Sequence, residues 1–480
     1  MGLKKKTIFG VLWNTFELLS GKVIQIIITI ILARILIPED FGIIALLVIF
    51  TELSKVILDS GFSQALIRKQ DATQEDFTSI FYFNIFIGLL IYLFLYFISP
   101  QISNFYNYPE LTNIARVIFL TIIINSFGIV QNALVVKSIN FKILAKRTII
   151  ANFIGGVVAV SLAYLGFAVW ALVFQILIAT LLRVILLWLY SNWRPSKSFT
   201  IKPIKELFSF SSNLLLSGIF DVIASNIQTL LIGKFYSQAS LGFYSQAKLL
   251  ANLPSQTLTS VIRNVTYPTL SEINNKNTLQ LKNSYRRIIK IAIFIIFPIM
   301  LGFIAIGDRL IPLVLGDKWI PSIEYFMLFC LIGAIYPLYS ISQNIFLVQG
   351  NSKLFLKVSI AKRVITLIGI LITIQFGVLT LVIGQVVTTV INTILTMYFS
   401  GKEIDYSLKE QIKDIIGIIL ISLFMLLTIY IFGVKVHFES SSLVILSQIC
   451  IGIVVYFTLS FIFKLSVIFE LKNILLSIKK

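Results

Sequence analysis

The chain has 480 residues, of which 58% are hydrophobic and 13% charged, with a mean hydropathy of +0.95 and a formal net charge of +19. Soluble proteins carry about 25% charged residues, so this composition excludes a soluble enzyme, a disordered protein and a small disulfide scaffold, and it indicates a membrane protein with many spans. An excess of Lys and Arg is typical of cytoplasmic loops, so it gives no reason to expect nucleic acid as a partner.

Apolar runs of about 20 residues, the length at which a helix crosses the hydrocarbon core, predict fourteen membrane spans. The predicted spans lie at 8–33, 41–66, 78–99, 111–136, 144–165, 168–190, 206–233, 240–267, 287–307, 323–348, 355–375, 378–399, 412–432 and 443–464. The first run is too long for the core of a signal peptide, so we interpret it as an uncleaved span. Gly166 and Gly377 predict tight turns between spans five and six and between spans eleven and twelve.

The distribution of Lys and Arg predicts the orientation of these spans. With the N-terminus in the cytoplasm, the inside segments hold 29 basic residues, the outside segments hold 6, and 5 lie within spans. Cytoplasmic loops collect Lys and Arg, so this split predicts that both termini are cytoplasmic. No predicted loop is long enough for a folded catalytic domain.

A weak internal repeat with an offset of 200 residues relates the first two spans to spans seven and eight. Arg34 aligns with Lys234, and Gly42 aligns with Gly242. Parallel repeats of this kind are typical of transporters that hold a substrate site between two halves.

The predicted fold is therefore an all-α polytopic membrane protein with about 14 helices in two six-helix lobes and a C-terminal helix pair. The lobes are an N-lobe at 1–195 with spans one to six and a C-lobe at 196–400 with spans seven to twelve. An accessory helix pair with a cytoplasmic tail occupies 401–480.

Nine ionisable residues are assigned to the span interiors, and other charged residues near span ends, Arg147 among them, are counted with the adjoining loops. The nine are Glu17, Lys22, Glu52, Lys55, Asp59, Arg183, Asp221, Lys248 and Arg263. A charge at the bilayer centre costs about 2.5–3.5 kcal/mol, so we expect these side chains to face the protein interior or a water-filled cavity. All but Arg183 lie on the first pair of spans of a lobe, which predicts one polar cavity between the lobes.

Eight of the nine charges have one of two predicted roles, and two competing interpretations apply to some of them. Substrate-binding cations are predicted at Lys22, Lys55, Lys248 and Arg263, and coupling or counter-ion acids at Glu17, Glu52, Asp59 and Asp221. Structural salt bridges are the alternative for Lys22, Lys55 and Asp221. Arg183 and Arg263 lie within two turns of a span end and could reach the membrane interface. The sequence predicts no catalytic residue, cofactor or metal site.

Several segments resemble a known family. LARILIPEDFG at 32–42, LDSGFSQALIRK at 58–69, DFTSIFYFN at 76–84 and NVTYPTLSEI at 264–273 are similar to the polysaccharide-transporter branch of the multidrug/oligosaccharidyl-lipid/polysaccharide exporter superfamily. Members of this branch are often called Wzx-type flippases. The resemblance covers essentially the whole chain.

The resemblance implies a V-shaped, two-lobed exporter fold that alternates between inward-open and outward-open states. It also implies a polyprenyl-diphosphate-linked oligosaccharide as substrate. In related lipid flippases, cations on the first, second and eighth spans hold the diphosphate. Lys22, Lys55 and Lys248, with Arg263 as a further candidate, occupy such places here. The last helix pair of such flippases contributes a groove for the polyprenyl tail.

The leading hypothesis is a flippase of the bacterial cytoplasmic membrane that carries capsule, O-antigen or exopolysaccharide repeat units and catalyses no covalent step. Its expected partners are the lipid-linked oligosaccharide, membrane lipids and other polysaccharide-assembly proteins. A cation-coupled drug exporter of the same superfamily is the first alternative, although such a pump favours an acid-lined cavity. A membrane glycosyltransferase or polysaccharide polymerase is the second.

Overall fold

A computed structural model gives the fold over residues 3–59, 62–69, 71–274, 278–436, 440–468 and 470. Side chains at 3–12, 14, 206–214, 263–265, 267–269, 272, 274 and 278 lie outside the described set, as does the predicted tail at 471–480. Among the described residues every regular element is helical, with sixteen α-helices and two short 3-10 helices. This confirms the all-α class.

The helices are numbered in chain order. They are α1 Leu3–Ile35, α2 Pro38–Asp59, α3 Phe62–Arg68, α4 Gln74–Tyr106, α5 Leu111–Ser126, α6 Ile129–Lys137, α7 Phe141–Tyr164, α8 Val169–Tyr190, α9 Lys202–Phe235, α10 Gln238–Asn274, α11 Thr278–Leu315, α12 Ile323–Val348, α13 Ser352–Thr373, α14 Val378–Lys402, α15 Leu408–Lys435 and α16 Ser441–Ile462. The 3-10 helices are Asp317–Ser322 and Ile374–Phe376.

Eleven helices within the described ranges are long and apolar enough to cross a membrane, or twelve if α5 and α6 form one bent span. Helices α10 and α13 are not among them. Helix α13 carries Lys353, Lys357, Lys362 and Arg363, and α10 has a long series of polar residues. The chain is thus a multi-pass membrane protein, while the count of fourteen spans stays a prediction.

Large apolar side chains remain exposed on many of these helices. Phe97 on α4, Leu371 on α13 and Phe461 on α16 each expose about two thirds of their surface. A soluble protein rarely leaves large contiguous apolar areas open to water, so these faces are suited to lipid.

The chain packs into two compact units, Met1–Ser245 and Gln246–Lys480. In the first unit, α7 packs against α1 and α8, α4 against α5, and α2 against α9. In the second unit, α11 packs against α12 and α15, and α14 against α12 and α13. The lobe limits predicted at residues 195 and 400 stay a prediction.

Small residues explain the close packing of α7. Ala151, Gly155, Ala159 and Ala163 recur every four residues on this helix and are buried. A stripe of small residues lets neighbouring helices approach closely, which is how helices associate where lipid provides no hydrophobic driving force.

A break between α5 and α6 divides what the sequence predicted as one continuous span at 111–136. The two helix axes differ by 46°. Trp188 Nε1 on α8 donates to the carbonyl oxygen of Phe127 at 3.0 Å, so a side chain occupies an acceptor that a continuous helix would use internally.

The predicted turns and the predicted repeat both appear in the backbone. Gly166 and Gly377 have φ values of 83° and 106°, a region that favours glycine, and each lies between two helices as the sequence predicts. The helix breaks before Pro38 and Gln238 recur at the predicted offset of 200 residues.

The repeated breaks also touch each other within the first unit. A Cβ atom on Gly42 would overlap the backbone of Gln238, and a Cβ atom on Gly242 would overlap the backbone of Pro38. Equivalent residues of the two repeats therefore make reciprocal contacts, and glycine at both positions lets the backbones meet.

Candidate functional site

A polar cavity of about 260 Å³ lies inside the first unit, where six helices meet. Its wall is formed by Lys55, Leu58 and Asp59 of α2, Ser63 of α3, Asn125 of α5, Gly128, Ile129 and Asn132 at the start of α6, Arg147 of α7, and Arg183, Val184 and Leu187 of α8. The bend between α5 and α6 brings Asn125, Gly128 and Asn132 into this wall, so the broken span helps to form the cavity.

Three cations and one carboxylate line the cavity, which leaves an excess of positive charge. The cations are Lys55, Arg147 and Arg183, and the carboxylate is Asp59. The positive charge of Arg183 repels those of both Lys55 and Arg147. An anion in the cavity would relieve this repulsion, because opposite charges attract strongly at low dielectric.

Arg147 is held in place from two sides. Its Nη1 donates to Asn132 Oδ1 at 3.1 Å, and its Nη2 lies 3.9 Å from Glu17 Oε1 on α1. The same Glu17 oxygen accepts a hydrogen bond from Thr148 Oγ1 at 2.9 Å. The Nε of Arg147 is buried and has no hydrogen-bond partner among the described residues.

Arg183 is fixed mainly by its own helix. Its Nε donates to the carbonyl oxygen of Ala179 at 3.1 Å, and its Nη2 makes a long contact of 3.5 Å with Thr180 Oγ1. The second contact is at the limit of a hydrogen bond, so much of the donor capacity of the guanidinium remains for a ligand.

Lys55 and Asp59 lie one helical turn apart on α2, and both line the cavity. Asp59 Oδ1 also accepts from the backbone N–H of Ser63 at 3.2 Å, which ties α2 to the start of α3. Glu52 sits one turn earlier, and its Oε2 accepts from Asn226 Nδ2 on α9 at 2.7 Å. Glu52 therefore supports the packing of α9 while its charge partly offsets that of Lys55.

The other predicted site residues lie elsewhere. Lys22 is half-buried on α1 and is not part of the cavity wall, and Asp221 is exposed on α9. Lys248 is half-buried in the second unit, and the side chain of Arg263 lies outside the described residues. One chamber shared by Lys22, Lys55 and Lys248 thus stays a prediction.

Two cavity cations were not among the predicted binding residues. From their positions near span ends, Arg147 counts with the cytoplasmic loops and Arg183 is expected to reach the membrane interface. The position of Arg147 along its helix is the signal that could have identified it. Arg147 follows the start of α7 by nearly two turns, so a charge there already lies inside the helix bundle.

Comparisons with known proteins agree with this architecture. Residues 31–324, more than half of the chain, match the sequence profile of the family described as "Polysaccharide biosynthesis protein". The teichuronic acid biosynthesis protein TuaB of Bacillus subtilis is 23% identical over 444 residues, which cover 92% of this chain and 91% of TuaB. The succinoglycan biosynthesis transport protein ExoT of Rhizobium meliloti is 27% identical over 289 residues, which cover 60% of this chain and 58% of ExoT.

A solved structure shares the fold. The lipid II flippase MurJ in its inward closed conformation superimposes with a TM-score of 0.77 and 17% sequence identity, covering 96% of this chain and 100% of the MurJ chain. At this identity the likeness concerns the fold alone.

Proposed function

Because the chain belongs to the family of polysaccharide biosynthesis proteins, we propose that it is a flippase for a lipid-linked oligosaccharide. It moves a polyprenyl-diphosphate-linked repeat unit from the inner to the outer leaflet of a bacterial cytoplasmic membrane. The observation that carries this proposal is the excess of positive charge in the cavity of the first unit. ExoT is named a transport protein and MurJ a flippase, which supports a transport role.

The diphosphate is the part of such a substrate that a cavity with three cations suits best. Arg147 and Arg183 present planar donor groups that match phosphate oxygens in pairs, and Lys55 adds a point charge. A sugar without acidic groups would leave the repulsion among the cations uncompensated. Asp59 and Glu52 reduce this repulsion while the cavity is empty.

The position of the cavity along its helices favours loading from the inner leaflet. In the proposed orientation, α8 ends, α7 begins and the span Pro38–Arg68 ends at the cytoplasmic side. Arg147 and Arg183 lie six and seven residues from these ends, about 9–10 Å of helix, and Lys55 lies 13 residues, about 20 Å, before Arg68. Lipid-linked precursors built on the cytoplasmic side would meet the two arginines first and Lys55 deeper in the protein.

The mechanism needs no covalent step. The headgroup enters the cavity while the lipid tail remains in the bilayer, and a change between two conformations exposes the headgroup to the other side. Glu17, Glu52, Asp59 and Asp221 are the proposed coupling or counter-ion residues. Of the two alternatives, a drug exporter for cationic compounds fits less well, because it would favour an excess of acidic residues in the cavity.

The proposal is tested by removing the cavity cations in cells. K55Q and R183Q, expressed in a strain that lacks the native gene, should accumulate lipid-linked oligosaccharide on the inner leaflet and lower surface polysaccharide by about tenfold or more, because each charge-assisted hydrogen bond contributes about 1.5–3 kcal/mol. Accumulation is measured by accessibility of the glycan to a membrane-impermeant enzyme in oriented vesicles.

K146Q is the matched control, since Lys146 is exposed beside Arg147 and is not part of the cavity wall. It should export normally at equal protein levels. Normal export by both K55Q and R183Q would contradict the site. Hypersensitivity of the null strain to cationic drugs, with unchanged polysaccharide, would favour the drug-exporter alternative.

A further inference from the structure

We propose that Glu17 is an internal counter-ion whose negative charge opposes that of a substrate phosphate bound at one edge of Arg147 and thereby sets how fast the headgroup is released. This inference rests on the proposed flippase function and deepens it. Glu17 is then a positioning residue that acts on the headgroup through Arg147.

The geometry of Arg147 identifies the edge in question. Asn132 Oδ1 accepts a hydrogen bond from Nη1 at 3.1 Å. The donors that remain for a ligand are Nε and Nη2, which lie side by side along one edge of the guanidinium. Nε has no partner among the described residues, and Nη2 has Glu17 Oε1 only at 3.9 Å. An oxyanion with two oxygens fits this edge in bidentate fashion.

The contact of Glu17 with Arg147 is loose because Thr148 holds the carboxylate. Thr148 Oγ1 donates to Glu17 Oε1 at 2.9 Å, well within hydrogen-bond range, whereas the ion pair is at the outer limit of a salt bridge. The side chains of Glu17 and Arg147 are only 14% and 15% exposed, so solvent screens the pair weakly. Glu17 therefore neutralises Arg147 electrostatically without closing its ligand edge.

This arrangement implies that the phosphate binds beside Glu17 during transport. A phosphate that arrives accepts from Nε and Nη2 of Arg147, while Glu17 keeps its hydrogen bond to Thr148. The negative charge of Glu17 then repels the bound phosphate and weakens its hold. When the phosphate leaves, Glu17 remains as the nearest compensation for a buried cation, which would otherwise be strongly destabilising.

Two variants at this site should act in opposite directions. E17Q keeps an acceptor for Thr148 but removes the charge, so it should lower both KM and kcat for flipping by about threefold to tenfold, the size expected for one partly buried charge pair. T148V releases the carboxylate to approach Arg147 more closely, so it should raise KM. The assay is flipping of a polyprenyl-diphosphate-linked oligosaccharide in proteoliposomes.

E75Q is the control for the charge change, since Glu75 is exposed at the start of α4, where Thr200 Oγ1 donates to it. Its kinetics should equal those of the wild type. Inorganic diphosphate should inhibit flipping by E17Q more strongly than flipping by the wild type. Glucuronate should not show this stronger inhibition of E17Q. Stronger inhibition by glucuronate would overturn the assignment of this edge to phosphate.

A rise in KM for E17Q, unchanged kinetics in E17Q, or shifts of the same sign in both variants would overturn the inference. Each of these results requires a wild type that flips the lipid. A wild type without flipping, in membranes where the protein is folded, would instead contradict the proposed function.

Discussion

Arg147 and Lys55 illustrate what decides the role of a charge inside a membrane protein. Lys55 and Asp59 share one face of α2, so helical periodicity alone predicts that they point the same way. Arg147 could not be assigned in this manner, because its role depends on Asn132 after a helix break and on Glu17 more than a hundred residues away. Periodicity sorts the residues of one helix, but it does not tell which helices meet.

Asp414 is a second charge whose role is visible only after folding. Asp414 lies near the start of α15 and accepts hydrogen bonds from Arg286 on α11 and from the Tyr406 hydroxyl. Beside it, Lys282 donates to Glu410 at 3.1 Å. These contacts fasten the beginning of α15 to α11 within the second unit.

We expect D414N to destabilise the protein by about 1–2 kcal/mol, because the half-exposed Arg286 loses a charged acceptor. A hydrogen bond to a charged group contributes more stability than one between neutral groups. Thermal unfolding in detergent measures the change as a lower midpoint temperature. D308N is the control, since Asp308 is half-exposed and lies 4.0 Å from Arg309. Equal midpoints for D414N and D308N would show that the contact does not stabilise the fold.

At the scale of helices, the breaks determine the site as much as the spans do. The turn at Gly166 was predictable because one glycine followed by a new apolar run leaves few alternatives. The break between α5 and α6 was not predicted, because the run at 111–136 has the length of one span and the donor that bonds to the carbonyl oxygen of Phe127, Trp188, belongs to a helix two elements later. Without that break, Asn132 would not be in the cavity wall.

The reciprocal glycine contact between the starts of α2 and α10 gives a prediction for helix packing. G42A should destabilise the protein by about 1–3 kcal/mol or more, because the added methyl group would overlap backbone atoms of Gln238 that cannot turn away. The readouts are the yield of monodisperse protein and the midpoint of thermal unfolding.

Gly302 on α11 is the matched control, since a Cβ there meets no atom within 4 Å. G302A should leave the midpoint unchanged or raise it, because alanine is the better helix former by about 1 kcal/mol. If G42A and G302A behaved alike, the close contact of the two repeats would not contribute to stability.

For the whole molecule, composition and periodicity were sufficient to predict an all-α membrane protein. The apolar faces of α4, α13 and α16 stay exposed, as suits lipid, and the MurJ structure covers nearly the whole chain with the same fold. The number of spans is harder to predict from the sequence, because α10 and α13 have the length of a span but carry many polar residues. A helix that lines a polar interior can cross a membrane with lower hydropathy than a lipid-facing one, and the sequence does not separate the two cases.

The charge of the whole molecule also has two components that composition cannot separate. Most of the 40 basic residues are predicted to lie in cytoplasmic segments and set the orientation. Lys55, Arg183 and Arg147, the last of which is counted with the cytoplasmic segments, are gathered in one cavity with a single carboxylate. This second group gives the protein an internal site for an anion.

Binding of a prenyl diphosphate to the purified protein shows whether the three cavity cations form an anion site. The dissociation constants of farnesyl diphosphate and of uncharged farnesol should be measured for the wild type, for the K55Q/R183Q double variant and for K146Q, at low and high salt. We predict that the wild type and K146Q prefer the diphosphate, that the double variant loses about tenfold or more in affinity for it, and that salt weakens binding less than it would at an exposed site. Equal affinity of the wild type and the double variant for farnesyl diphosphate would contradict the account.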